Sequence, residues 1–460
     1  MSEKQKDFIK KSEIKAFDKN HRRIINYNIS KYNTAVIKGR EQFEKLNVAR
    51  QRVSFLKHRS INDMENQLKE FEYNFTRNGG KVIWASEAKE AISEILKICK
   101  KAEAKHIVKS KSMATEEIEL NHELEKNNID PVETDLGEYI VQIAGEKPYH
   151  IITPAMHKSK ENIAELFNKK FNTPANSTPE EITKFVRQLL REKFIHADIG
   201  ISGVNFIITD IGGIAITENE GNALMSVSFP KIHIAIAGID KIIPSMKDLG
   251  LLWPVLASHG TGQNITVYNS IITSPKKEIE TDGPEEMYVV LLDNGRTNLL
   301  NSKKQKVALT CIRCGACLNA CPIYRNIGGH TYGAVYSGPI GSVITPHLLG
   351  MKDYKHLSFS SSLCGKCTEV CPAAIKLHRL LLYNRRDSVD LNLTGKTDKL
   401  VMYGWKKIMT NRWMMDKPGA KLKNTALRVF FSRSWGSRRD IPKIKQTSFN
   451  KWWKEKNNNQ

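Results

Sequence analysis

Seven of the chain's eight cysteines fall in two clusters, Cys311-x2-Cys314-x2-Cys317-x3-Cys321-Pro322 and Cys364-x2-Cys367-x3-Cys371-Pro372. That is the spacing of a bacterial-type two-cluster ferredoxin. Three cysteines at intervals of three let one tight loop wrap three corners of an iron–sulfur cube, and the fourth, set before a proline, is thrown across to the other cube. By that rule Cys311, Cys314 and Cys317 hold one cluster with Cys371, while Cys364 and Cys367 hold the second with Cys321. The two cubes are then neighbours, and a chain of this kind is expected to carry electrons.

Counting back from Cys371, a complete second motif needs a cysteine at 361, where the chain has Ser361. The second cluster therefore has three thiolates and an open corner. The Ser361 hydroxyl, His330, His347, His378 or water are candidates for it, and a three-iron cluster is the alternative. Zinc is the plainer reading of closely spaced cysteines, but it wants four ligands in two separated pairs. An unbroken run of four cysteines before a proline, repeated in part, suits it poorly. Disulfides fit less well still, because Met1 to Lys19 is polar and charged and carries no signal-peptide pattern. A reducing cytoplasm is the expected compartment.

At 460 residues the chain is long enough for two or more domains. It has no apolar run of the length needed to span a bilayer, so a soluble protein is expected. The formal net charge of +22 is concentrated at one end, with roughly 21 Lys/Arg against 6 Asp/Glu from Lys376 to Gln460. Trp405, Trp413, Trp435, Trp452 and Trp453 are interleaved with those charges. Such a mixture can meet nucleic acid or an anionic membrane, but no nucleic-acid motif accompanies it, and a solvated extension with docked aromatics is the reading preferred.

Four segments are expected: a charged helical lead-in over 1–60, an α/β domain over 61–300, a mainly α-helical two-cluster domain over 301–388, and a basic, tryptophan-containing extension over 389–460. In the first, apolar residues scattered at helical spacing predict one or two exposed helices without a function of their own. Val82 to Ala85 and His106 to Lys109 read as strands. Ile92, Ile95, Leu96 and Cys99 share one helix face, which makes Cys99 a core residue. Ser112 to Lys126 reads as a helix, Tyr139 to Ile143 and Tyr149 to Thr153 as strands, and Glu161 to Phe171 as a helix. Thr178-Pro179-Glu180-Glu181 starts another, running to about Lys193. Val204 to Asp210 and Ile214 to Glu218 flank Gly212-Gly213 as a hairpin. Strands at His233 to Ile239, Asn264 to Thr273 and Glu286 to Leu292, and a helix near Ser245 to Ala257, complete the domain.

Three polar, glycine-bearing loops adjoin these strands: Glu133 to Glu138, Thr217 to Asn222 and Ser258 to Gln263. Loops at strand ends are where α/β proteins bind ligands. None has the pattern of a phosphate loop. They supply Glu133, Asp135, Glu218 and His259 as candidate catalytic or binding groups. Glycines at 328–333 and 338–341 lie between the cysteine clusters, where they serve either to bring backbone N–H groups to the sulfurs or simply to connect.

Cys311-Ile312-Arg313-Cys314-Gly315-Ala316-Cys317, Gly328-Gly329-His330, Tyr336 to Gly341 and Ser361-Ser362-Leu363-Cys364 resemble the lactate-utilisation iron–sulfur protein B family. The resemblance extends to Lys111-Ser112-Met113, Glu133 to Glu138 and Asp210 to Gly213, and so covers most of the chain. It implies an N-terminal domain with a fold like the ribose-phosphate isomerase and CoA-transferase group, followed by a two-cluster ferredoxin domain. It also implies cytoplasmic oxidation of L-lactate to pyruvate together with two partner proteins from the same operon, and a serine at position 361 as the usual pattern. Carried onto this chain, the first cluster takes Cys311, Cys314, Cys317 and Cys371, and the second Cys321, Cys364 and Cys367.

Two functions follow as expectations. In the first, the chain is the electron-transfer subunit of an oxidoreductase complex and passes electrons to an unidentified acceptor, in keeping with its lack of a flavin or nicotinamide motif. In the second, the α/β domain is itself a substrate-binding or catalytic module, with the clusters acting as a redox sensor through the open corner at Ser361.

Overall fold

A computed structural model describes residues 1–432 and 440–458, apart from the side chain at 396, as two compact units, Met1–Asp390 and Leu391–Gln460. The first unit opens with four helices, α1 (Glu3–Phe17), α2 (Lys19–Arg40), α3 (Leu46–Asn62) and α4 (Met64–Arg77). There follow β1 (Lys81–Ala85), α5 (Ala88–Lys101), β2 (His106–Lys109), α6 (Met113–Glu117), α7 (Leu120–Lys126), β3 (Asp130–Glu133), α8 (Leu136–Ile143), α9 (Lys160–Phe171) and α10 (Pro179–Ile195). Next come β4 (Ile199–Gly203), β5 (Phe206–Ile208), β6 (Gly213–Glu218), α11 (Asn222–Ser228), β7 (Ile232–Gly238), β8 (Ile242–Ile243), α12 (Leu249–Gly260), β9 (Tyr268–Ile272), β10 (Glu286–Leu292) and α13 (Arg296–Leu300). The cysteine region carries α14 (Ala316–Ala320), α15 (Pro322–Ile327), α16 (Gly338–Leu348), α17 (Met351–Phe359), α18 (Lys366–Glu369) and α19 (Leu377–Asp390). The second unit contains α20 (Lys396–Thr410), α21 (Arg412–Asp416), α22 (Ala420–Ala426) and α23 (Phe449–Asn458), and its helices present exposed Leu400, Trp405, Trp413 and Trp453. Trp435 lies outside the described residues.

Six strands form a parallel sheet in the order β1-β10-β7-β4-β2-β3. Its strands are apolar on both sides because helices cover both faces. Along β7, Ile234 and Ile236 join Ile95, Leu124 and Val290 in one core, whereas Ala235 and Ala237 face the other way with Val289 and Leu291. The strand's period of two thus divides the interior. A second sheet, β8-β5-β6-β9, holds the expected hairpin, with Phe206 opposite Ala215 and Ile208 opposite Gly213. Gly212 turns it with φ +55°, and a β-carbon there would run into the backbone of Asn74 and Phe75 on α4.

Several expectations are corrected. The helices over 1–60 are not an exposed lead-in: Phe8, Ile25, Ile29, Val53 and Leu56 are buried in the same core as Cys314 and Cys317. Their apolar stripe is narrow, and dense charge on the remaining faces hides it. The helix over 112–126 is broken at Glu119, which has φ +53°. Tyr139 to Ile143 belongs to α8, started by the Asp135 side chain accepting from the Glu138 N–H, and the strand is Asp130–Glu133 just before it. Both faces of α8 are covered, so its apolar run loses the helical period that would have identified it. Tyr149 to Thr153 is irregular; its backbone folds onto itself, with the Tyr149 N–H donating to Pro154 O and the His150 Nδ1 accepting from the Ile152 N–H. β4 and β8 were not anticipated. Cys99 is buried on α5, as its helix face requires.

Candidate metal centre

The chain reaches Cys311 from a 3-10 turn over Gln305–Thr310 and then bends sharply, with Arg313 and Gly315 both at positive φ. That bend sets Cys314 just ahead of α14 and Cys317 within it. Cys321 caps α15, with Pro322 at its first turn. Cys364 precedes α18, Cys367 lies on it, and Cys371 follows it. α14 and α18 are in contact.

All eight cysteines are free thiols. Among the described residues no three cysteine sulfurs lie within 4.8 Å of one another. A single tetrahedral zinc with bonds of about 2.3 Å holds its sulfurs about 3.8 Å apart, and the thiols are not drawn together to that spacing. The thiols also segregate by charge. Cys317 senses Cys311, Cys314 and Cys371, whereas Cys367 senses Cys321 and Cys364. Burial, then neighbouring thiols, pushes Cys314 and Cys317 far up, Cys371 to about 12 and Cys367 to about 11. Left alone these sulfurs stay protonated at neutral pH, so their ionisation needs a bound cation. Backbone N–H groups of Arg313, Tyr324 and Ile375 donate to Cys311, Cys321 and Cys371 at 3.4, 3.5 and 3.4 Å, which favours the anionic form.

The other groups considered for the open corner have these partners. His330 Nε2 faces Lys147 O at 2.7 Å and its ring packs against Tyr149 and His157. His347 Nε2 meets Asn384 Oδ1 at 2.9 Å, and His378 Nδ1 meets Thr368 Oγ1 at 2.7 Å. Ser361 Oγ accepts from the Leu363 N–H at 3.1 Å.

Beside the first cysteine loop is a cavity of about 390 Å³. It sits at the carboxyl ends of β2, β3, β4 and β7, where Lys111, Asp135, Gly203 and Gly238 line it. That is the edge at which open parallel sheets bind ligands. Residues from all three glycine-bearing loops converge there: Asp135 and Gly137, Thr217 to Glu220 with Asn222, and Gly260 with Thr261. Asp135 pairs with Lys111 at 3.2 Å. Glu218 accepts from the N–H groups of Ala223 and Leu224 at 2.7 and 2.9 Å, and burial pushes its carboxyl up. Glu133 and His259 do not line the cavity. Glu133 is buried against Lys109 at 2.6 Å and Asn121 at 2.8 Å. The His259 Nδ1 faces Val255 O at 2.9 Å, and burial with Arg40 pushes the imidazole down to about 3.

Sequence reasoning missed the groups that join the cavity to the cysteines. Arg313, between Cys311 and Cys314, lines the cavity, stacks over Tyr336 at 4.6 Å and donates to Asp240 at 3.2 Å. Arg296 donates to Asp240 at 2.7 Å and grips Glu117 through two bonds of 2.9 and 2.8 Å. Tyr336 closes the chain by donating to Glu117 at 2.6 Å. Burial alone would raise the Asp240 carboxyl, but Arg296 and Arg313 hold it well below the usual carboxylate range. Nη1 of Arg313 is buried without a hydrogen-bond partner. A β-carbon on Gly260 would lie 3.2 Å from Cys314 O, so the cavity wall and the cysteine loop touch directly.

Residues 68–292 match the LUD domain family and residues 307–375 the 4Fe-4S dicluster domain family. Proteins named Lactate utilization protein B from Bacillus thuringiensis (strain Al Hakam), Bacillus cytotoxicus and Bacillus anthracis (strain A0248) are each 40% identical over 412 residues, covering 87% of this chain and 86% of theirs. The chain belongs to the lactate utilization protein B family. The dicluster match assigns iron–sulfur clusters to the cysteine region of this family member. A DUF162 family protein from Deinococcus radiodurans is 13% identical, with a TM-score of 0.29 over 50% of this chain and 98% of its own. Among the described residues no helix is long and apolar enough to cross a membrane.

Proposed function

We propose that the chain is the iron–sulfur electron-transfer subunit of a cytoplasmic complex that oxidises L-lactate to pyruvate, working with two partner proteins encoded beside it. In this reading Cys311, Cys314, Cys317 and Cys371 hold one cluster, and Cys321, Cys364 and Cys367 hold a second. Bound clusters supply one-electron chemistry that side chains lack at neutral pH. The observation that carries the reading is the division of seven free thiols into a group of four and a group of three, in a region that matches the 4Fe-4S dicluster domain family. The protein's own contribution is to bury Cys314, Cys317 and Cys371, to aim N–H groups at Cys311 and Cys371 and to fix the loop through Arg313 and Asp240. Cys314→Ala should abolish lactate-dependent reduction of the acceptor by the assembled complex while leaving the α/β domain folded by circular dichroism. Undiminished reduction would sink the proposal.

A second role for the α/β domain is favoured by the cavity, which three loops build against the first cysteine loop. The buried, unpartnered Arg313 Nη1 and the neighbouring Lys241 give that wall a positive character suited to a carboxylate. The resemblance of this domain to the ribose-phosphate isomerase and CoA-transferase group belongs to the same proposal. Lys241→Met, read by calorimetric titration with L-lactate and pyruvate, should weaken binding without loss of iron. Unchanged binding would remove this role.

A further inference from the structure

We infer that Ser361 is the fourth ligand of the second cluster, with its side-chain oxygen standing where the first cluster has the sulfur of Cys311. The inference rests on the assignment of the cysteines to two clusters proposed above.

The two cysteine segments are a repeat displaced by fifty positions, in which Cys311, Cys314, Cys317 and Cys321-Pro322 correspond to Ser361, Cys364, Cys367 and Cys371-Pro372. The backbone repeats as well. Arg313 and Leu363 are non-glycine residues at φ 59° and 53°, a conformation L-residues seldom adopt, and they occupy equivalent places. Gly315 and Gly365 follow at φ 73° and 80°, and each opens a short helix, α14 or α18. A leucine is held left-handed only where its surroundings over-determine it. A loop with the same sequence of turns directs its first side chain the same way.

The hydrogen bonds make the equivalence atomic. The Arg313 N–H donates to Cys311 Sγ at 3.4 Å, and the Leu363 N–H donates to Ser361 Oγ at 3.1 Å. The second distance is shorter, as expected when oxygen replaces the larger sulfur. An amide aimed at that oxygen favours its anionic, metal-bound form for the same reason that it favours a thiolate. The loop is fixed in advance by Arg385 on α19, whose Nε donates to Ser358 O at 2.9 Å and whose Nη2 donates to Ser361 O at 3.2 Å. The three histidines are engaged elsewhere and none falls at the repeat position. Ligation forms one bond from Ser361 Oγ to iron and releases the hydroxyl proton to solvent, and no electron moves.

Oxygen is a harder ligand than thiolate and favours the more oxidised metal. Cys364 is exposed whereas Cys314, Cys317 and Cys371 are buried, so the oxygen-ligated corner belongs to the more solvent-facing group.

The full chain, purified anaerobically as wild type, Ser361→Ala and Ser361→Cys, distinguishes the outcomes by iron and sulfide counting and by electron paramagnetic resonance. Wild type should contain roughly eight irons. Ser361→Ala should lose about one of the eight and show the oxidised three-iron signal after brief exposure to air. Ser361→Cys should keep all of them, resist that loss, and raise the potential of one cluster only. An alanine variant that matches wild type in iron content and signal overturns the inference, as does a three-iron signal already present in anaerobic wild type. Zinc in place of iron in wild type overturns instead the two-cluster reading on which the inference stands.

Discussion

Lys57 is a fully buried cation whose Nζ donates to Asp240 O at 2.8 Å and Ile242 O at 2.9 Å, tying α3 to the segment that carries the cavity's aspartate. Burial pushes it down to about 7, against the pull of Asp240. A free lysine titrates near 10.4, so between about 7 and 10 the unfolded chain binds more protons than the folded one. Stability therefore rises with pH across that window, and the full penalty applies below it. Lys241, pushed to about 8 by burial and Arg313, adds to the same slope. The urea midpoint of the anaerobic protein is expected to climb from pH 7 to pH 9. Lys57→Met should flatten part of the climb while costing about 1–3 kcal/mol at pH 9 for two orphaned carbonyls. A variant whose midpoint rises as steeply as wild type would show that Lys57 is not the source. No sequence pattern announces such a residue. The cysteines are legible because their chemistry is local, three residues apart. Glu117, Asp240, Arg296 and Arg313 form one buried network from four distant segments, and nothing in any one segment distinguishes them from surface charges.

Among the elements, those with an unambiguous period or cap were legible: α5 from its single apolar face, α10 from the reciprocal bonds of Thr178 and Glu181, and the β5-β6 hairpin from Gly212-Gly213. α8 was not, because burial on several sides erases the helical period, and β3 escaped because only four residues with a proline define it. Two of the three glycine-bearing segments adjoin strands, β3 and β6, whereas Ser258 to Gly260 closes α12 and is helical, and the glycines serve different ends. Gly262, at φ +81°, lies so close to α2 that a β-carbon would run into the Ala35 carbonyl, and a β-carbon on Gly39 would strike Gly262 in turn. That loop is glycine-bearing because a helix crosses it closely, whereas its Gly260 borders the cavity and the Cys314 carbonyl. Composition alone does not separate close packing from ligand access.

At the scale of the molecule, the N-terminal helices, the α/β sheet and the cysteine loops share one continuous core, which explains why the charged first segment cannot be a dispensable lead-in. Phe8 packs against Tyr332 and His356 with ring centroids 6.1 and 5.0 Å apart, and His21 Nε2 meets Tyr149 Oη at 2.8 Å. Arg50 Nε donates to Cys371 O at 2.9 Å, so the helices reach the cysteine backbone itself. Loss of α1 and α2 would remove the buried Phe8, Ile25 and Ile29 and uncover what they cover, Tyr332 and His356 among it, forfeiting on the order of 5 kcal/mol of apolar burial. That is comparable to the whole stability of an ordinary domain. The second unit, Leu391–Gln460, is compact by itself. Two truncations therefore have opposite expected outcomes. A chain ending at Asp390 should keep the iron and sulfide content and the melting temperature of the full protein, while shedding roughly 17 Lys/Arg against 4 Asp/Glu. A chain beginning at Glu41 should retain little iron after anaerobic gel filtration. Full iron content in the latter would mean that the cysteine region supports its clusters without the helices packed over it, and the single-core account of this fold would fail.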